Sequence, residues 1–211
     1  MPERVQKGQG TMRAFTFENA TKIYFGGGCV KEHLLEAVKP YGETVMLAYG
    51  GGSIKTNGIY QEVMDVLKLA GKQVIEFSGI MPNPTYSKVM EGKKVVQENQ
   101  VDLILAVGGG SVMDCSKAIS MAAATDKDVW EEYWIKKGEI DFEPVPVGVI
   151  VTVVGTGSEV NGEGVITHEE QKIKTSRNYP RCNPVFAMMD PKYTYTVSPL
   201  QTAAGGFDML S

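Results

Sequence analysis

The feature that most constrains the fold is an apolar strand that leads directly into a glycine turn and a helix. Residues 102–107 read Asp-Leu-Ile-Leu-Ala-Val, and an apolar pattern on both faces is typical of a strand in the middle of a parallel sheet. Gly108-Gly109-Gly110-Ser111 ends the strand, and residues 112–124 carry a helical pattern. Because parallel strands need a crossover connection between them, this unit predicts an α/β fold.

The same alternation of strand and helix patterns extends along most of the chain. Further strands are predicted at residues 44–48, 74–77, 146–154 and 185–189, and further helices at residues 59–70 and 85–99. Gly71 is expected to end the first of these helices, and Asn83 to be the N-cap of the second, ahead of Pro84. The sequence therefore predicts a Rossmann-like parallel sheet with helices on both faces and ligands at the carboxyl ends of its strands.

Composition narrows the classes of partner and compartment. The formal net charge is -4 and the chain has no run of Lys or Arg, which argues against a nucleic acid or an anionic membrane as partner. No segment approaches the roughly 18 consecutive apolar residues of a membrane-spanning helix. The three cysteines, Cys29, Cys115 and Cys182, are widely scattered, which favours reduced thiols and a cytoplasmic protein.

Three glycine turns follow predicted strands, at residues 50–52, 108–110 and 155–157. Glycine lets a phosphate approach backbone amides that a Cβ would cover, and a helix after the turn adds its positive N-terminal end. Such turns also occur simply to reverse a strand tightly into a helix, but three in one α/β pattern favour a ligand. We therefore predict that residues 108–111 hold the phosphates of a nucleotide cofactor, with the Ser111 hydroxyl as a further donor.

A longer motif around the second turn resembles a known family. Residues 107–117, Val-Gly-Gly-Gly-Ser-Val-Met-Asp-Cys-Ser-Lys, closely resemble the signature of the iron-containing (group III) alcohol dehydrogenases. The resemblance runs from about Phe15 to Ser211 and includes residues 49–55, 79–84, 152–159 and 189–194. The nearest branch that it resembles is that of the NADPH-dependent butanol dehydrogenases and aldehyde reductases.

The resemblance implies a set of cofactor-binding residues. Gly109, Gly110 and Ser111 match positions that bind the pyrophosphate, and Asp114 belongs to the same signature. The other implied positions are Asn83 near a ribose and phosphate, Thr152 and Thr156 on the adenine and phosphate side, and Lys174 near the nicotinamide ribose. Lys172 lies two residues before Lys174, and the resemblance alone does not separate these two lysines.

The first glycine turn indicates which dinucleotide binds. NAD enzymes of this architecture usually place a carboxylate at the ribose 2′-hydroxyl, and that charge would repel a 2′-phosphate. Residues 48–60 contain no Asp or Glu, and amides, a hydroxyl and a cation are offered by Gly51, Gly52, Ser53 and Lys55. We therefore expect NADPH. The alternative is that Lys55 simply faces solvent, which is the commoner fate of a lysine.

The resemblance also implies a metal site. In the family, an Asp in a Gly-x-Asp context and three later His ligands hold Fe²⁺, with Zn²⁺ as a substitute, and Asp208 matches that Asp. The first of those His ligands lies four residues after the Asp, beyond Ser211, and neither His33 nor His168 matches a ligand position. An isolated Asp at a helix start is more often a cap than a ligand. The chain thus resembles a cofactor-binding part with a single metal ligand.

These observations predict part of an oxidoreductase that interconverts small alcohols and aldehydes by metal-assisted hydride transfer with NADP(H). We expect a flexible tail at residues 1–12, a dinucleotide-binding domain at 13–192, and the start of a truncated all-helical, metal-binding domain at 193–211. We expect this N-terminal fragment to be inactive by itself. A homodimer through an edge strand near residues 22–25 is also expected.

Two other functions fit parts of the pattern. One is a sibling enzyme of the glycerol dehydrogenase or dehydroquinate synthase type, which would use NAD and zinc. The cofactor turn of those enzymes typically lacks the arrangement at residues 51–55. The other is a stand-alone nucleotide-binding module without catalysis, which becomes a serious alternative if 211 residues are the whole protein.

Overall fold

A six-stranded, all-parallel β-sheet forms the centre of the computed structural model, which describes residue 16 and residues 18–210. The tail expected at residues 1–12 lies outside these described residues. The strands are β1 (Lys22–Phe25), β2 (Thr44–Tyr49), β3 (Gln73–Phe77), β4 (Leu103–Gly108), β5 (Val147–Val151), β6 (Glu163–His168), β7 (Ile173–Asn178) and β8 (Phe186–Met189). The sheet order is β1-β8-β5-β4-β2-β3, and β6 and β7 pair as a separate antiparallel hairpin.

Helices cover both faces of the sheet, as predicted. The α-helices are α1 (Cys29–Val38), α2 (Ser53–Thr56), α3 (Ile59–Leu69), α4 (Tyr86–Glu98), α5 (Gly110–Ala123) and α6 (Pro199–Asp208). A π-helical segment covers Trp130–Ile135, and short 3₁₀ segments cover Pro180–Cys182 and Pro191–Thr194. Among the described residues, no helix has the length and apolar character needed to span a lipid bilayer.

The strand β4 is buried on both faces, which confirms its predicted central position. Leu103, Leu105 and Val107 belong to the core that includes α1 and α3. Ile104 and Ala106 belong to the opposite core, which includes α4 and α5. The alternation of side chains along one strand therefore supplies both layers of the domain.

The chain reverses its direction across the sheet between β2 and β4. From β2 it passes to the outer strand β3, and it then crosses back to β4 on the other side of β2. The parallel register pairs Tyr49 with Val107, so the turns after β2 and β4 are neighbours. In open parallel sheets, ligands bind in the crevice at such a switch point.

Two helix ends test the predicted caps. Gly71 follows α3 with φ +70°, the left-handed conformation of a C-terminal glycine, so this prediction is confirmed. The prediction that Asn83 caps α4 is wrong, because the N-cap is Thr85, whose hydroxyl accepts from the Lys88 N–H at 3.3 Å. Asn83 lies two residues earlier in the left-handed region, with φ +56°.

The hairpin of β6 and β7 was not predicted from the sequence. Its Thr167 N–H donates to the Pro84 carbonyl at 2.9 Å. The indole N–H of Trp134 donates to the Gly164 carbonyl at 3.2 Å. The first bond holds the hairpin beside the loop that precedes α4, and the second attaches it to the π-helical segment.

The residues after the sheet form α6, within the segment 193–211 that was expected to begin an all-helical domain. Ser198 is the N-cap and accepts from the Gln201 N–H at 3.3 Å, and Pro199 occupies the first helical position.

Candidate functional site

The turn after β4 is packed closely against the segment that follows β5. A Cβ added at Gly109 would lie 3.0 Å from Val153 Cβ, and one added at Gly110 would lie 2.8 Å from Thr156 Cγ2. A side chain at either position would push against the segment after β5, most strongly at Gly110, so packing favours glycine here. The same closeness brings Thr156 to the turn that was predicted to hold the pyrophosphate.

The helix α5 gives this turn its attraction for anions. It begins at Gly110 and is 14 residues long, so its first-turn N–H groups and the positive end of its dipole lie at the turn. Ser111 is partly exposed in this first turn. The Thr152 N–H donates to the Gly108 carbonyl at 3.0 Å, which fixes the second predicted threonine at the same strand end.

The turn after β2 is open, in contrast to the turn after β4. A Cβ added at Gly51 or at Gly52 would meet no atom within 4 Å among the described residues. Gly52 needs glycine because its φ is +102°, but Gly51 has no such conformation. Neither packing nor backbone geometry within the described residues therefore explains glycine at position 51, whereas a ligand that approaches the backbone would.

A third segment reaches the same edge of the sheet. The Gly79 N–H donates to the Gly50 carbonyl at 3.0 Å, and the Ile80 N–H donates to the Tyr49 carbonyl at 3.3 Å. The loop of residues 79–83 is thereby attached to the first glycine turn. Predicted cofactor residues from four separate segments therefore lie at the carboxyl ends of β2 to β5, along one edge of the sheet that we call the crevice.

Two residues that were predicted from distant parts of the sequence are in direct contact. The Lys174 Nζ on β7 donates to Asn83 Oδ1 at 2.6 Å, and both side chains are exposed. Lys172 instead lies in the hairpin turn, with φ +56°. The contact with Asn83 favours Lys174 over Lys172 as the lysine at the cofactor crevice.

Asp114 lies inside the molecule rather than at the surface of the crevice. Its carboxylate accepts from Ser158 Oγ at 2.5 Å and from the Val165 N–H at 3.1 Å, and it lies 3.7 Å from Lys117 Nζ. Burial raises the pKa of Asp114, and the Lys117 charge opposes that rise. Burial also lowers the pKa of Lys117 to about 8. This buried pair links α5 to the segment after β5.

A carboxylate beside the first glycine turn was missed by the sequence reasoning. Glu76 on β3 accepts from Tyr49 Oη at 2.5 Å, from Tyr60 Oη at 2.6 Å and from Lys55 Nζ at 2.9 Å. These hydrogen bonds, from Tyr49, Tyr60 and then Lys55, lower the pKa of Glu76 to about 2. The sequence does carry a signal for this residue, which is an acid in the otherwise apolar end of β3. In the parallel register, Glu76 pairs with Leu47 of β2.

A fourth glycine turn, at residues 26–28, binds an anion from the chain itself. The Gly28 N–H donates to Asp190 Oδ2 at 2.6 Å, and Asp190 Oδ1 accepts from the Lys192 N–H at 2.9 Å. The Asp190 carboxylate thus fills the position that a phosphate would take. This turn stabilises the junction of β1 and β8 rather than offering a ligand site.

The described residues do not make up a complete metal site. Asp208 is the last residue of α6 and is exposed, and its Cβ would lie 3.6 Å from a Cβ added at Gly155. No group of three or more His, Cys, Asp or Glu side chains in the described part of the chain could hold a metal ion. His33 stacks on Tyr24, and His168 stacks on Tyr86. Asp208 is therefore adjacent to the third glycine turn without a described set of co-ligands.

Comparisons with known proteins agree with this architecture. The family model described as "Iron-containing alcohol dehydrogenase" matches residues 20–191. The probable NADH-dependent butanol dehydrogenase 1 of Bacillus subtilis is 44% identical over 200 residues, which are 95% of this chain and 51% of that protein. The NADPH-dependent aldehyde reductase YqhD of Escherichia coli is 39% identical over 198 residues, which are 93% of this chain and 50% of that protein.

A solved structure is also similar. The crystal structure of NADH-dependent butanol dehydrogenase A from Thermotoga maritima matches with a TM-score of 0.87 at 38% identity. The match covers 93% of this chain and 49% of that one. The chain therefore spans about half the length of the relatives that it matches.

Proposed function

Because the chain belongs to the iron-containing alcohol dehydrogenase family, we propose that its crevice binds a nicotinamide dinucleotide for the interconversion of alcohols and aldehydes. The observation that carries this proposal is the open glycine turn at the switch point of the sheet. Gly51 is a glycine for which packing and backbone conformation give no reason among the described residues. A phosphate bound at the backbone supplies that reason.

Different residues of the crevice bind different parts of the proposed dinucleotide. Amides at Gly109 and Gly110 and the Ser111 hydroxyl hold the pyrophosphate, at the N-terminal end of α5. The threonines at positions 152 and 156 lie on the adenine side, and the contacting pair of residues 83 and 174 on the ribose side. When bound, the nicotinamide ring accepts or donates the hydride of the reaction.

We propose NADP(H) as the preferred form. Support comes from the turn of residues 51–53, which carries no acid, and from Lys55, which follows it. The names of the relatives include both NADH-dependent and NADPH-dependent proteins, so family membership alone does not choose between the forms. A 2′-phosphate that binds at this turn would gain amide donors and one cation.

We propose that Asp208 is one ligand of the iron that the family description names. The closeness of Asp208 to the Gly155 turn supports this role, because that turn follows β5 at the edge of the sheet where the dinucleotide is proposed to bind. One carboxylate does not fit a complete site for a divalent ion, which needs several ligands. We therefore derive no catalytic step that uses the metal.

The substrate class and the assembly are also proposals. The names of two relatives, a butanol dehydrogenase and an aldehyde reductase, support a small alcohol or aldehyde as substrate. A homodimer through β1 is supported by the exposed side chains of Ile23 and Phe25, which are 51% and 74% accessible on this edge strand. A cytoplasmic location is supported by the three cysteines, which are all buried and free.

The test is a titration of the 211-residue chain with NADPH, read by the fluorescence of the reduced nicotinamide and by the shift in thermal unfolding. A ligand that binds only the folded state must raise its stability. Gly51→Ala should weaken binding about tenfold or more, because its Cβ occupies the open cradle. The unfolding temperature of the free variant should match the wild type, since the added Cβ meets no atom within 4 Å among the described residues.

Two results would count against the proposal. If the wild-type chain shows no shift at millimolar NADPH or NADH, these residues do not form a dinucleotide site by themselves. If Gly51→Ala binds NADPH as tightly as the wild type, the turn after β2 does not cradle the cofactor.

A further inference from the structure

Four side chains around the first glycine turn form what we call the Glu76 cluster: Tyr49, Lys55, Tyr60 and Glu76. The carboxylate accepts three hydrogen bonds, from Tyr49 at 2.5 Å, Tyr60 at 2.6 Å and Lys55 at 2.9 Å. The Lys55 ammonium also lies 4.5 Å from the centre of the Tyr60 ring and 5.3 Å from that of Tyr49. The ammonium is therefore held in place by an anion and by two aromatic faces.

The cluster flanks the turn that is proposed to bind the 2′-phosphate. Tyr49 is the last residue of β2, directly before the turn, and Lys55 lies in α2, directly after it. Tyr60 lies in α3, and Glu76 reaches the group from β3, where it pairs with Leu47. One carboxylate thus connects both ends of residues 49–60, and it does so from the adjacent strand.

The charges of this cluster bear directly on dinucleotide choice. Residues 48–60 have no acid of their own, but Glu76 brings one into hydrogen-bonding distance of Lys55. Lys55 and Glu76 together carry no net charge. A 2′-phosphate must compete with Glu76 for Lys55 and is also repelled by the carboxylate, whereas a 2′-hydroxyl experiences neither effect to a comparable degree.

On the basis of the proposed function, we infer that Glu76 is a specificity-determining residue that limits the preference for NADP(H) over NAD(H) by retaining Lys55. The side chains of Lys55 and Glu76 are 47% and 41% exposed, so solvent screens the pair and its effect is moderate. The hydroxyls of Tyr49 and Tyr60 stabilise the ionised carboxylate, so the restraint persists throughout the neutral pH range.

The experiment measures the dissociation constants of NADPH and NADH for the 211-residue chain and its variants. Glu76→Gln keeps the shape and an acceptor oxygen but removes the charge. We expect it to tighten NADPH binding about fivefold and to change NADH binding by less than about twofold. Tyr60→Phe is the matched control, because it removes one hydrogen bond from Glu76 and leaves the charge. It should leave the ratio of the two constants unchanged.

A double variant tests whether the gain requires Lys55. In the double variant that combines Lys55→Met with Glu76→Gln, the fivefold gain in NADPH affinity should disappear. No cation is then present for the loss of the Glu76 charge to make available. Thermal unfolding of each free variant shows whether it is folded. Should Glu76→Gln fail to fold, the ratio for Lys55→Met alone decides: an unchanged ratio means that Lys55 does not contact the phosphate, and the inference is wrong.

The remaining outcomes separate the two proposals. If Glu76→Gln changes NADPH and NADH binding by the same factor, Glu76 only supports the turn, and the specificity inference is overturned while dinucleotide binding stands. If the gain persists in the double variant, Glu76 acts without Lys55 and the inference is likewise overturned. If the wild type binds neither dinucleotide, the proposed function itself fails, and the inference fails with it.

Discussion

Lys117 is a buried lysine whose ammonium is fully supplied with acceptors. It donates to the carbonyl of Ser158 at 2.9 Å, to Ser158 Oγ at 2.8 Å and to the carbonyl of Asn161 at 3.0 Å. The Asp114 carboxylate lies 3.7 Å away. Because α5 starts at the proposed pyrophosphate turn, this lysine joins the cofactor helix to the segment after β5. We regard Asp114 and Lys117 as positioning residues for the crevice.

Removing the Lys117 charge should destabilise the protein strongly. Lys117→Met leaves Asp114 buried without its cation, and the expected loss in the free energy of unfolding is about 3 kcal/mol or more. Lys55→Met is the matched control: its ion pair with Glu76 is half exposed and screened by solvent, so its loss should be much smaller than that of Lys117→Met. Urea unfolding of both variants measures the difference. Equal losses would mean that burial does not set the strength of these pairs.

The depressed pKa of Lys117 also predicts how stability depends on pH. Burial lowers this pKa from 10.5 to about 8, so between these values the unfolded state binds more protons than the folded state. The contribution of Lys117 to the free energy of unfolding therefore rises as pH increases from about 8 to 10.5. Burial shifts the pKa of Asp114 in the opposite direction, upward.

The comparison protein is the double variant Asp114→Asn, Lys117→Met. Cys182, whose pKa burial raises to about 12, contributes a slope of opposite sign in both proteins, so it cancels in their difference. Urea unfolding at several pH values should show that the free energy of unfolding of the wild type rises relative to that of the double variant between about pH 8 and 10.5. A constant difference would show that Lys117 keeps its proton when folded.

At the scale of elements, the start of α4 illustrates how a cap determines which residue is left for a ligand. Thr85 caps the helix, so the Asn83 side chain is available to Lys174 at 2.6 Å. Had Asn83 been the cap, its amide would be engaged with the first helical turn. The left-handed backbone of Asn83 places it instead at the edge of the crevice.

The corrected cap can be measured. Thr85→Ala should lower the free energy of unfolding by about 1 kcal/mol, because the Lys88 N–H loses its acceptor. Asn83→Gly should change it by less than about 0.5 kcal/mol, since glycine keeps the left-handed backbone and no cap is lost. Chemical unfolding compares the two variants. A loss for Asn83→Gly that exceeds the loss for Thr85→Ala would restore Asn83 as the cap.

The elements that were predicted correctly are those whose sequence pattern lies within the element itself. The strand β4 and helix α5 follow from periodicity within residues 102–124 and from one glycine turn. The hairpin lacks such a signal, because its strands read Glu-Gly-Val-Ile-Thr-His and Ile-Lys-Thr-Ser-Arg-Asn. Its position depends on distant partners, such as the Tyr86 and Trp130 rings around His168.

The same distinction holds for the candidate site. The glycine turns were predictable because a phosphate cradle is a local backbone feature. The contact of Lys55 with Glu76 was not, since it depends on the register of β2 and β3 and spans 21 residues of sequence. Glu76, the acid that bears on cofactor choice, therefore lies outside residues 48–60, from which the dinucleotide was predicted.

At the scale of the whole molecule, α6 connects the proposed metal ligand to the cofactor sheet through a backbone contact. Gly205 is buried, and a Cβ added there would lie 2.6 Å from the Val154 carbonyl oxygen. A Cβ added at Gly155 would lie 3.0 Å from Gly205 Cα. The two chain segments approach so closely that only glycine fits at both positions. The position of Asp208 beside the crevice depends on this approach.

A single methyl group at this contact should separate α6 from the sheet without unfolding the domain. Gly205→Ala forces the helix away from residues 154–155, so amides of residues 202–208 should exchange hydrogen faster, while those of β4 and β5 keep their protection. Gly206→Ala is the matched control: its added Cβ meets no atom within 4 Å among the described residues, and alanine favours the helix by up to about 1 kcal/mol over glycine. Slower or unchanged exchange in the control, together with faster exchange in Gly205→Ala, would assign the docking of α6 to this one backbone contact. Equal protection in both variants would show that the contact of Gly205 with residues 154–155 does not determine how α6 docks on the sheet.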